Sequence, residues 1–345
     1  MENQTIRALL SKINRAWSNP VQVAYGQWGR WFPASLFARY QDMAVAAGLD
    51  RVYFILSFDC DTPEDVEVVW SVHSRLLDMG ICPDYAVPGE LLLSGEKTYR
   101  RIRETGARFL NHGYYMHAWF DPDAGEFRSC FFYDQLPLTK IQEDVRRGDA
   151  CLREVMGEHP EGFRAPHFGT FQKPHQIRFL HDLLRELGYR FSSSTMPQTA
   201  LQRGPVIRVD GLWEIPVSGM ASAPTSIFDT WGFFRAPNRQ RTPLDYGVEG
   251  HHLAERYAGF TGGLLNIYGD PCHIHDAPIF FATMDQLAKM ATPITFQHFL
   301  DRITGTNQEP HLDPPDWNEP RIVPGSTRLD QMVDSARIRP TKTNR

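Results

Sequence analysis

Residues 52–61 read VYFILSFDCD, an apolar run rich in aromatic and β-branched residues that ends in Asp59 and Asp61. This composition predicts a β-strand with two carboxylates at its carboxyl end. Six further short β-rich runs follow along the chain, and most of them also end in polar residues. The predicted strands are 52–58, 84–87, 108–111, 162–165, 190–194, 212–217 and 264–268.

Helical patterns alternate with these strands. The predicted helices lie near 63–79, 95–105, 138–156, 175–187, 249–258 and 281–291. Strands and helices in alternation are typical of parallel strands joined by crossover helices, so we expect an α/β fold, either a barrel or an open sheet. In both architectures functional residues gather at the carboxyl ends of the strands.

The chain divides into three predicted parts. Residues 1–50 are predicted to form an N-terminal helical extension, and 51–303 the main α/β domain. Residues 304–345 are rich in proline, asparagine, threonine and charged residues, and are predicted to form a flexible or strap-like tail. Between Ile6 and Trp17 apolar residues recur at helical intervals. We expect this segment to pack on the main domain, with a membrane-surface helix as the alternative.

Composition excludes several classes of function. The net charge is -5 and charges of both signs are interspersed, so no basic patch for a nucleic acid is expected. The five cysteines are odd in number, scattered and never paired as C-x-x-C, which argues against a disulfide scaffold and a zinc ribbon. No apolar run reaches the roughly 20 residues of a transmembrane helix. We therefore expect a cytoplasmic protein, and its oligomeric state is left open.

Polar segments follow four of the predicted strands, at 59–61, 111–117, 164–169 and 269–275. In the first segment, Asp59 and Asp61 lie on the same side of an extended backbone, so one can bind a metal while the other takes a proton. Helix capping is the alternative role for Asp61. In the second, His112 and His117 add imidazole nitrogens, which together with carboxylate oxygen suit zinc and related metals. Because a spacing of five leaves two helical side chains roughly 140° apart, this segment must bend, and Gly113 is the expected place.

The third segment combines a cation with a rigid proline. Arg164 can hold Asp59 ionised and oriented, although a surface turn is the alternative reading. A backbone N–H beyond Pro166 could face the oxyanion of a tetrahedral intermediate, as preorganised donors do. We therefore expect Pro166 and His167 to contact the substrate.

The fourth segment supplies the candidate general acid. A histidine titrates near neutral pH and can protonate a departing amine, and we choose His273 for this role. His273 and His275 could instead both bind metal. Residues 220–248 read as a long loop over the site, where Trp231, Phe233 and Phe234 could stack on sugar rings or fill the core.

Taken together, Ser57-Phe-Asp-Cys-Asp61, Asn111-His-Gly-Tyr114 and Phe163-Arg-Ala-Pro166 resemble the motifs of the polysaccharide deacetylase family. The likeness is greatest to the branch with allantoinase-like and peptidoglycan-deacetylase-like members, and it covers residues 51–303. It implies a distorted (β/α)7 barrel and a divalent metal. It also implies hydrolysis of N-acetyl groups on sugars, or of related carbon–nitrogen bonds.

The resemblance also implies roles for the residues that match. Asp59 would be the base, steadied by Arg164, and a metal-bound water the nucleophile. Zinc is the expected metal, with cobalt, nickel and manganese as alternatives. The implied metal ligands are Asp61, His112 and His117.

Two positions depart from the motifs and leave alternatives. His167 is the alternative to His117 as a metal ligand, and Asp270 the alternative to His273 in the last motif. The leading hypothesis is deacetylation of an amino sugar or sugar conjugate, so the expected partner is a small molecule or glycan with an N-acyl group. The alternatives are hydrolysis of a non-sugar linear or cyclic amide, and a catalytically silent barrel that binds a glycan or a protein.

Overall fold

A computed structural model of the protein describes residues 20–235 and 245–305, and parallel strands form its centre. The first five strands are β1 (Val52–Asp59), β2 (Asp84–Val87), β3 (Phe109–Asn111), β4 (Ala118–Asp121) and β5 (Glu126–Ser129). The others are β6 (Gly162–Phe163), β7 (Phe191–Ser192), β8 (Ile207–Val209), β9 (Leu212–Glu214), β10 (Gly263–Gly269) and β11 (Thr292–Pro293).

Seven of these strands run parallel in the order β10-β1-β2-β3-β6-β7-β9. They correspond one by one to the seven strands predicted from the sequence. β8 is added antiparallel outside β9, and β11 pairs with β1 off the main path. β4 and β5 form a separate antiparallel hairpin. The predicted α/β fold, a distorted (β/α)7 barrel, is confirmed.

The seam between β9 and β10 accounts for the distortion. No strand ladder joins these two strands in the described residues, and Asn266 of β10 makes the connection instead. The amide of Ser218 donates to the Asn266 carbonyl at 2.8 Å, and the Asn266 amide donates to the Ser218 hydroxyl at 2.9 Å. The Asn266 side chain donates towards the carbonyls of Ile215 and Pro216 at 3.1 and 3.0 Å. A buried polar side chain therefore closes the barrel.

Helices surround the strands. The first six are α1 (Pro20–Trp31), α2 (Pro33–Ala46), α3 (Pro63–Asp78), α4 (Gly89–Ser94), α5 (Glu96–Arg103) and α6 (Leu138–Met156). They are followed by α7 (Pro174–Glu186), α8 (Pro197–Arg203), α9 (Tyr246–Tyr257), α10 (Pro271–Ile274), α11 (Pro278–Met290) and α12 (Phe296–Gly305). Seven of the twelve begin at a proline, whose fixed φ and missing N–H suit a first helical turn. Over the described ranges, no helix is long and apolar enough to cross a membrane.

The N-terminal and C-terminal predictions are covered only in part. α1 and α2 form the described portion of the predicted extension, and α2 packs on the barrel through Tyr40, whose hydroxyl donates to the Leu264 carbonyl at 2.8 Å. The helix predicted between Ile6 and Trp17 lies outside the described residues, as do residues 306–345 of the predicted tail. The three-part division of the chain stays a prediction.

Alternation along β1 decides which side chains face the site. All eight of its residues are buried. Phe54, Leu56 and Phe58 pack with residues of the outer helices. Tyr53 and Ile55 belong to a second cluster, which takes one residue from each of five other strands, namely Ala86, Leu110, Phe191, Trp213 and Leu264. Since side chains alternate along a strand, the inward set continues through Ser57 to Asp59.

α12 closes the opposite end of the barrel, where the parallel strands begin. Phe296, Phe299 and Leu300 are buried in the inner cluster. Asp84, the first residue of β2, is fully buried and accepts a hydrogen bond from the Phe296 amide at 2.8 Å. This bond satisfies an amide at the start of the helix, which has no partner of its own within the helix.

Asp84 makes stability depend on pH. Burial raises the pKa of its carboxyl to about 7, against the opposing effects of the Phe296 amide and Arg164. In the unfolded chain this carboxyl has a pKa near 3.9. Between about pH 4 and pH 7 Asp84 is therefore ionised in the unfolded state but still protonated in the folded state, so the stability of the fold decreases as the pH rises. Asp84→Asn keeps an acceptor for the amide and cannot ionise. The difference in unfolding free energy between the variant and wild type should therefore increase, in favour of the variant, by on the order of 2–3 kcal/mol from pH 5 to pH 8.

The measurement is urea unfolding at both pH values. Asp84→Ala is the matched control, since it removes the acceptor and should lower stability at both. Parallel pH dependence in wild type and Asp84→Asn would contradict the assignment.

Candidate active site

The four polar segments predicted after strands come together at one end of the barrel. Arg164 after β6 contacts Asp59 at the end of β1, and His112 after β3 contacts Asp61. The segment after β10 reaches the first segment through Asp65, which accepts a hydrogen bond from the Cys272 amide at 2.9 Å. The carboxyl ends of β1, β3, β6 and β10 thus surround one site.

Asp61, His112 and His117 form a cluster with the arrangement of a metal site. One ligand atom from each residue lies within 4.8 Å of the other two. Asp61 Oδ1 is 3.3 Å from His112 Nε2 and 3.4 Å from His117 Nδ1. These contacts lack hydrogen-bond geometry, and among the described residues none of the three atoms has a hydrogen-bond partner although all are buried. Buried polar atoms without hydrogen-bond partners are rare in folded proteins, and a bound metal ion would explain them here.

The chemistry of the donors fits a divalent metal. His112 Nδ1 lies 2.7 Å from the carbonyl oxygen of Arg164, so it carries the proton and donates it there, which leaves the Nε2 lone pair directed at the cluster. Burial lowers the pKa of His117 to about 4, so this imidazole is neutral at pH 7. Burial lowers the pKa of His112 and the Asp61 and Asp59 carboxylates raise it, so that it is raised overall. One carboxylate and two imidazoles suit zinc and its first-row neighbours, and three protein ligands leave a position open.

The predicted bend between the two histidines lies at Gly113. Its φ is +81°, and a Cβ there would lie 2.1 Å from Asp144 Oδ2, so both the conformation and the space require glycine. The following amides are held by carboxylates: Tyr114 N and Tyr115 N both donate to Asp144 Oδ1 at 2.9 Å. The bend lets histidines five residues apart reach one carboxylate oxygen.

A charge pair lies beside this cluster. Arg164 is fully buried and donates from Nη1 to Asp59 Oδ1 at 2.8 Å and to the Ser57 hydroxyl at 2.9 Å. Its remaining nitrogens donate to the carbonyl and the hydroxyl of Ser193, both at 3.2 Å. Burial raises the pKa of Asp59, while Arg164 and His112 act in the opposite direction. The guanidinium thus fixes one oxygen of Asp59, and the catalytic roles of the two residues stay predictions.

The helix-capping alternative for Asp61 does not describe the observed contacts. Thr62 is the residue before α3, and its amide and hydroxyl donate to Asp65 at 3.0 and 2.9 Å. Asp65 therefore takes the reciprocal role of a capping box, and the Asp61 carboxylate remains directed at the two histidines.

Pro166 is buried, and the His167 ring lies edge-on to His117 with the centroids 5.8 Å apart, without joining the cluster. His167 has a φ of +55°, and its Nε2 lies 2.6 Å from the carbonyl of Cys130. Its ring packs on Phe132 with the centroids 4.4 Å apart. Between the two alternatives for the third ligand position, the structure brings His117 and not His167 to Asp61.

His273 is paired with Asp270. Its Nδ1 lies 3.1 Å from Asp270 Oδ2 and 3.2 Å from the Thr230 hydroxyl, and its side chain is almost completely buried. Within the described part of the chain it forms no ion pair with Asp59 or Asp61. His275 lies on the surface beside Asp276. A pair of histidines on one metal at this segment is therefore not formed, and the acid role of His273 stays a prediction.

The aromatic residues of the predicted 220–248 loop differ in exposure. Trp231 is 42% exposed, whereas Phe233 packs edge-on against Phe228 and Tyr246. Phe234 also packs on Tyr246. The two phenylalanines thus take the core role that the sequence offered as the alternative, and residues 236–244 lie outside the described ranges.

Several residues of the site were not identified from the sequence. Phe168 and Tyr268 pack together with ring centroids 4.6 Å apart, and the Arg164 Cζ atom lies 5.4 and 5.5 Å from their rings. Asp65 carried a usable signal, because an acidic residue three positions after Thr62 is typical of a capping box. Phe168 and Tyr268 had no such sequence signal, because their packing depends on segments that are distant in sequence.

Comparison with known proteins identifies the fold. No protein-family model and no curated protein matches the chain. A protein of Mycobacterium smegmatis assigned as a polysaccharide deacetylase matches with a TM-score of 0.57 at 17% identity, over 79% of this chain and 96% of that one. An allantoinase, PuuE, matches with a TM-score of 0.56 at 12% identity, over 75% and 92%.

A second protein assigned as a polysaccharide deacetylase, from Pseudomonas aeruginosa, gives a TM-score of 0.53 at 14% identity, over 74% of this chain and 91% of that one. The chain therefore has the fold of the polysaccharide deacetylases, a fold that the allantoinase shares.

Proposed function

We propose that the protein is a metal-dependent hydrolase that removes an acyl group from an amide nitrogen. The observation that carries the proposal is the convergence of Asp61, His112 and His117 next to the buried pair of Asp59 and Arg164. The fold supports it, because the matching structures are named as deacetylases and an allantoinase.

Each group of the site has a separate task in this proposal. A divalent metal held by the three ligands would act as a Lewis acid and lower the pKa of water. Asp59 accepts the proton of the attacking water. Arg164 keeps the Asp59 carboxylate in place through the 2.8 Å hydrogen bond, so that its second oxygen is available for the proton. A base held in this way needs no rearrangement during the reaction.

We assign His273 as the general acid, with Asp270 as the group that orients it. The Asp270 carboxylate contacts His273 Nδ1 at 3.1 Å, which leaves Nε2 for the departing nitrogen. Asp270 and burial have opposing effects on the pKa of His273, and the pKa is raised overall. A histidine that stays protonated near neutral pH can deliver a proton to the amine.

The favoured substrate is an N-acetylated amino sugar or sugar conjugate. The names of two matching structures support this choice, and the exposed Trp231 offers a face for a sugar ring. Hydrolysis of a non-sugar amide or cyclic ureide is the second candidate. The burial of Phe233 and Phe234 against Tyr246 favours it, because two of the three predicted stacking rings are used in the core. The five free cysteines fit a reducing compartment such as the cytoplasm.

A catalytically silent barrel is the weaker alternative. A binding protein has little need for a fully buried guanidinium, three unpaired ligand atoms and an inward-facing carboxylate, since burying such groups is costly. The deciding experiment is a screen of the zinc-loaded protein against N-acetylated sugars, N-acetyl amines and cyclic ureides. Release of acetate or ring opening supports the proposal. Turnover of none of them, in protein with stoichiometric metal, contradicts it.

The metal ligands can be tested without any substrate. We expect His112→Ala and His117→Ala to weaken zinc binding by at least about a hundredfold, because each removes one of three ligands. His167→Ala is the matched control and should bind zinc like wild type. Competition with a zinc-chelating dye measures the affinities. If His167→Ala lost zinc affinity strongly and His117→Ala did not, His167 and not His117 would be the third metal ligand.

The base can be tested by Asp59→Asn. Asparagine keeps an oxygen for Arg164 but cannot accept the proton, so we expect kcat to fall about 10²- to 10⁴-fold while zinc stoichiometry is retained. Thermal stability should fall, because the buried Arg164 loses its charge partner. Steady-state kinetics and metal analysis on the same preparation give both readings. A variant that hydrolyses the substrate at the wild-type rate would rule out Asp59 as the base.

The acid can be tested by the basicity of the leaving amine. We expect His273→Gln to lower kcat about 10²-fold or more on an amide of a basic amine. The loss should be much smaller on an N-acetyl nitroanilide, because a weakly basic amine departs without protonation. Equal losses on the two substrates would show that His273 has a different role.

A further inference from the structure

Asp65 makes more contacts than a capping residue requires. It lies in the first turn of α3 and is fully buried. Its Oδ2 accepts three hydrogen bonds, from Asp61 N at 3.1 Å, Thr62 N at 3.0 Å and the Thr62 hydroxyl at 2.9 Å. Its Oδ1 accepts a fourth, from Cys272 N at 2.9 Å. A capping box needs only the bonds at Thr62, so the bonds to Asp61 and Cys272 are additional.

These additional bonds join two segments of the site. Asp61 belongs to the metal cluster, whereas Cys272 lies in α10, between Asp270 and His273. The ladder between β1 and β10 ends at the pair of Phe58 and Gly269. Beyond that pair no ladder joins the two segments, and Asp65 links their backbones with one carboxylate.

We propose that Asp65 is a positioning residue that sets the distance between the metal cluster and the pair of Asp270 and His273. The proposal rests on the proposed function, since it assigns these groups to one reaction. Asp65 itself touches neither substrate nor metal. It acts through two backbone amides, one from each segment, and both are held by the same rigid group.

The two oxygens of Asp65 allow a selective substitution. In Asp65→Asn the remaining oxygen can keep the three donors at Asp61 and Thr62, which retains the cap. The amide NH₂ then faces the Cys272 N–H, donor against donor, so only the bond to α10 is lost. Turning the amide over would place it against three donors instead of one. The variant therefore separates the capping role from the bridging role.

The matched control is Asp84→Asn. Asp84 is also a fully buried aspartate, but it accepts a single backbone amide, from Phe296, and asparagine can keep that bond. It lies at the start of β2 beside Ser57, and it forms no hydrogen bond or ion pair with residues 270–275. Any effect of changing a buried carboxylate to an amide, apart from the bridge, should occur in this control as well.

The experiment uses the full-length protein loaded with zinc. Hydrogen exchange of residues 270–275, resolved by peptide mass spectrometry, reports on α10. We expect the exchange rate to rise about tenfold or more in Asp65→Asn and to match wild type in Asp84→Asn, while zinc affinity stays within about threefold. With a substrate from the screen, kcat should fall about 10- to 100-fold, the range seen for groups that orient a site, with little change in KM.

Unchanged exchange of residues 270–275 in Asp65→Asn would overturn the proposal, and so would a large loss of zinc affinity with α10 unaffected. Hydrogen exchange and zinc affinity are measured without any substrate, so they test this proposal even if no substrate is found. Failure to find a substrate would count only against the proposed function. If Asp65→Asn does not fold, Cys272→Pro removes the same bond from the other side. Proline is tolerated in a first helical turn, so the exchange of residues 270–275 should again rise, and protection equal to wild type would overturn the proposal.

Discussion

The site depends on one buried cation. The Arg164 side chain has no exposed surface, and transfer of a charged group into the interior costs several kcal/mol unless it is paired and hydrogen-bonded. Asp59 and Ser57 of β1 and Ser193 after β7 supply the partners. The backbone of Arg164 adds two links, since its amide donates to the Asn111 carbonyl and its carbonyl accepts from His112. Three strands and one imidazole are thus fixed by a single residue.

The same requirement explains why the carboxylates must follow β1. Every side chain of that strand is buried, so each polar group on it needs a partner within the barrel. Alternation directs Ser57 and Asp59 inward to Arg164, and Asp61 continues that direction towards the histidines. A shift of one residue would exchange the inward and outward sets. The strand ladder to β10 on one side and β2 on the other prevents such a shift.

The sequence was sufficient for features with a local cause. The seven parallel strands follow from their composition, and the bend at Gly113 follows from histidines five residues apart that need one partner. The hairpin of β4 and β5 was missed because its exposed residues lack apolar alternation, and Trp119 and Phe120 are both half exposed. The seam at Asn266 and the ring pair of Phe168 and Tyr268 depend on contacts between distant segments, which no local pattern encodes.

The balance of charges distinguishes a metal site from a group of neutral side chains. The guanidinium of Arg164 is engaged by Asp59, and Asp65 is satisfied by four donors. The Asp61 carboxylate instead contacts His112 Nε2 at 3.3 Å and His117 Nδ1 at 3.4 Å. Burial lowers the pKa of His117 to about 4, whereas the pKa of His112 is raised. A carboxylate oxygen and a neutral imidazole nitrogen held this close repel one another unless a proton or a metal ion lies between them. The fold maintains this arrangement through Gly113, Asp144 and Arg164, so its stability and the convergence of the three candidate ligands have the same structural origin.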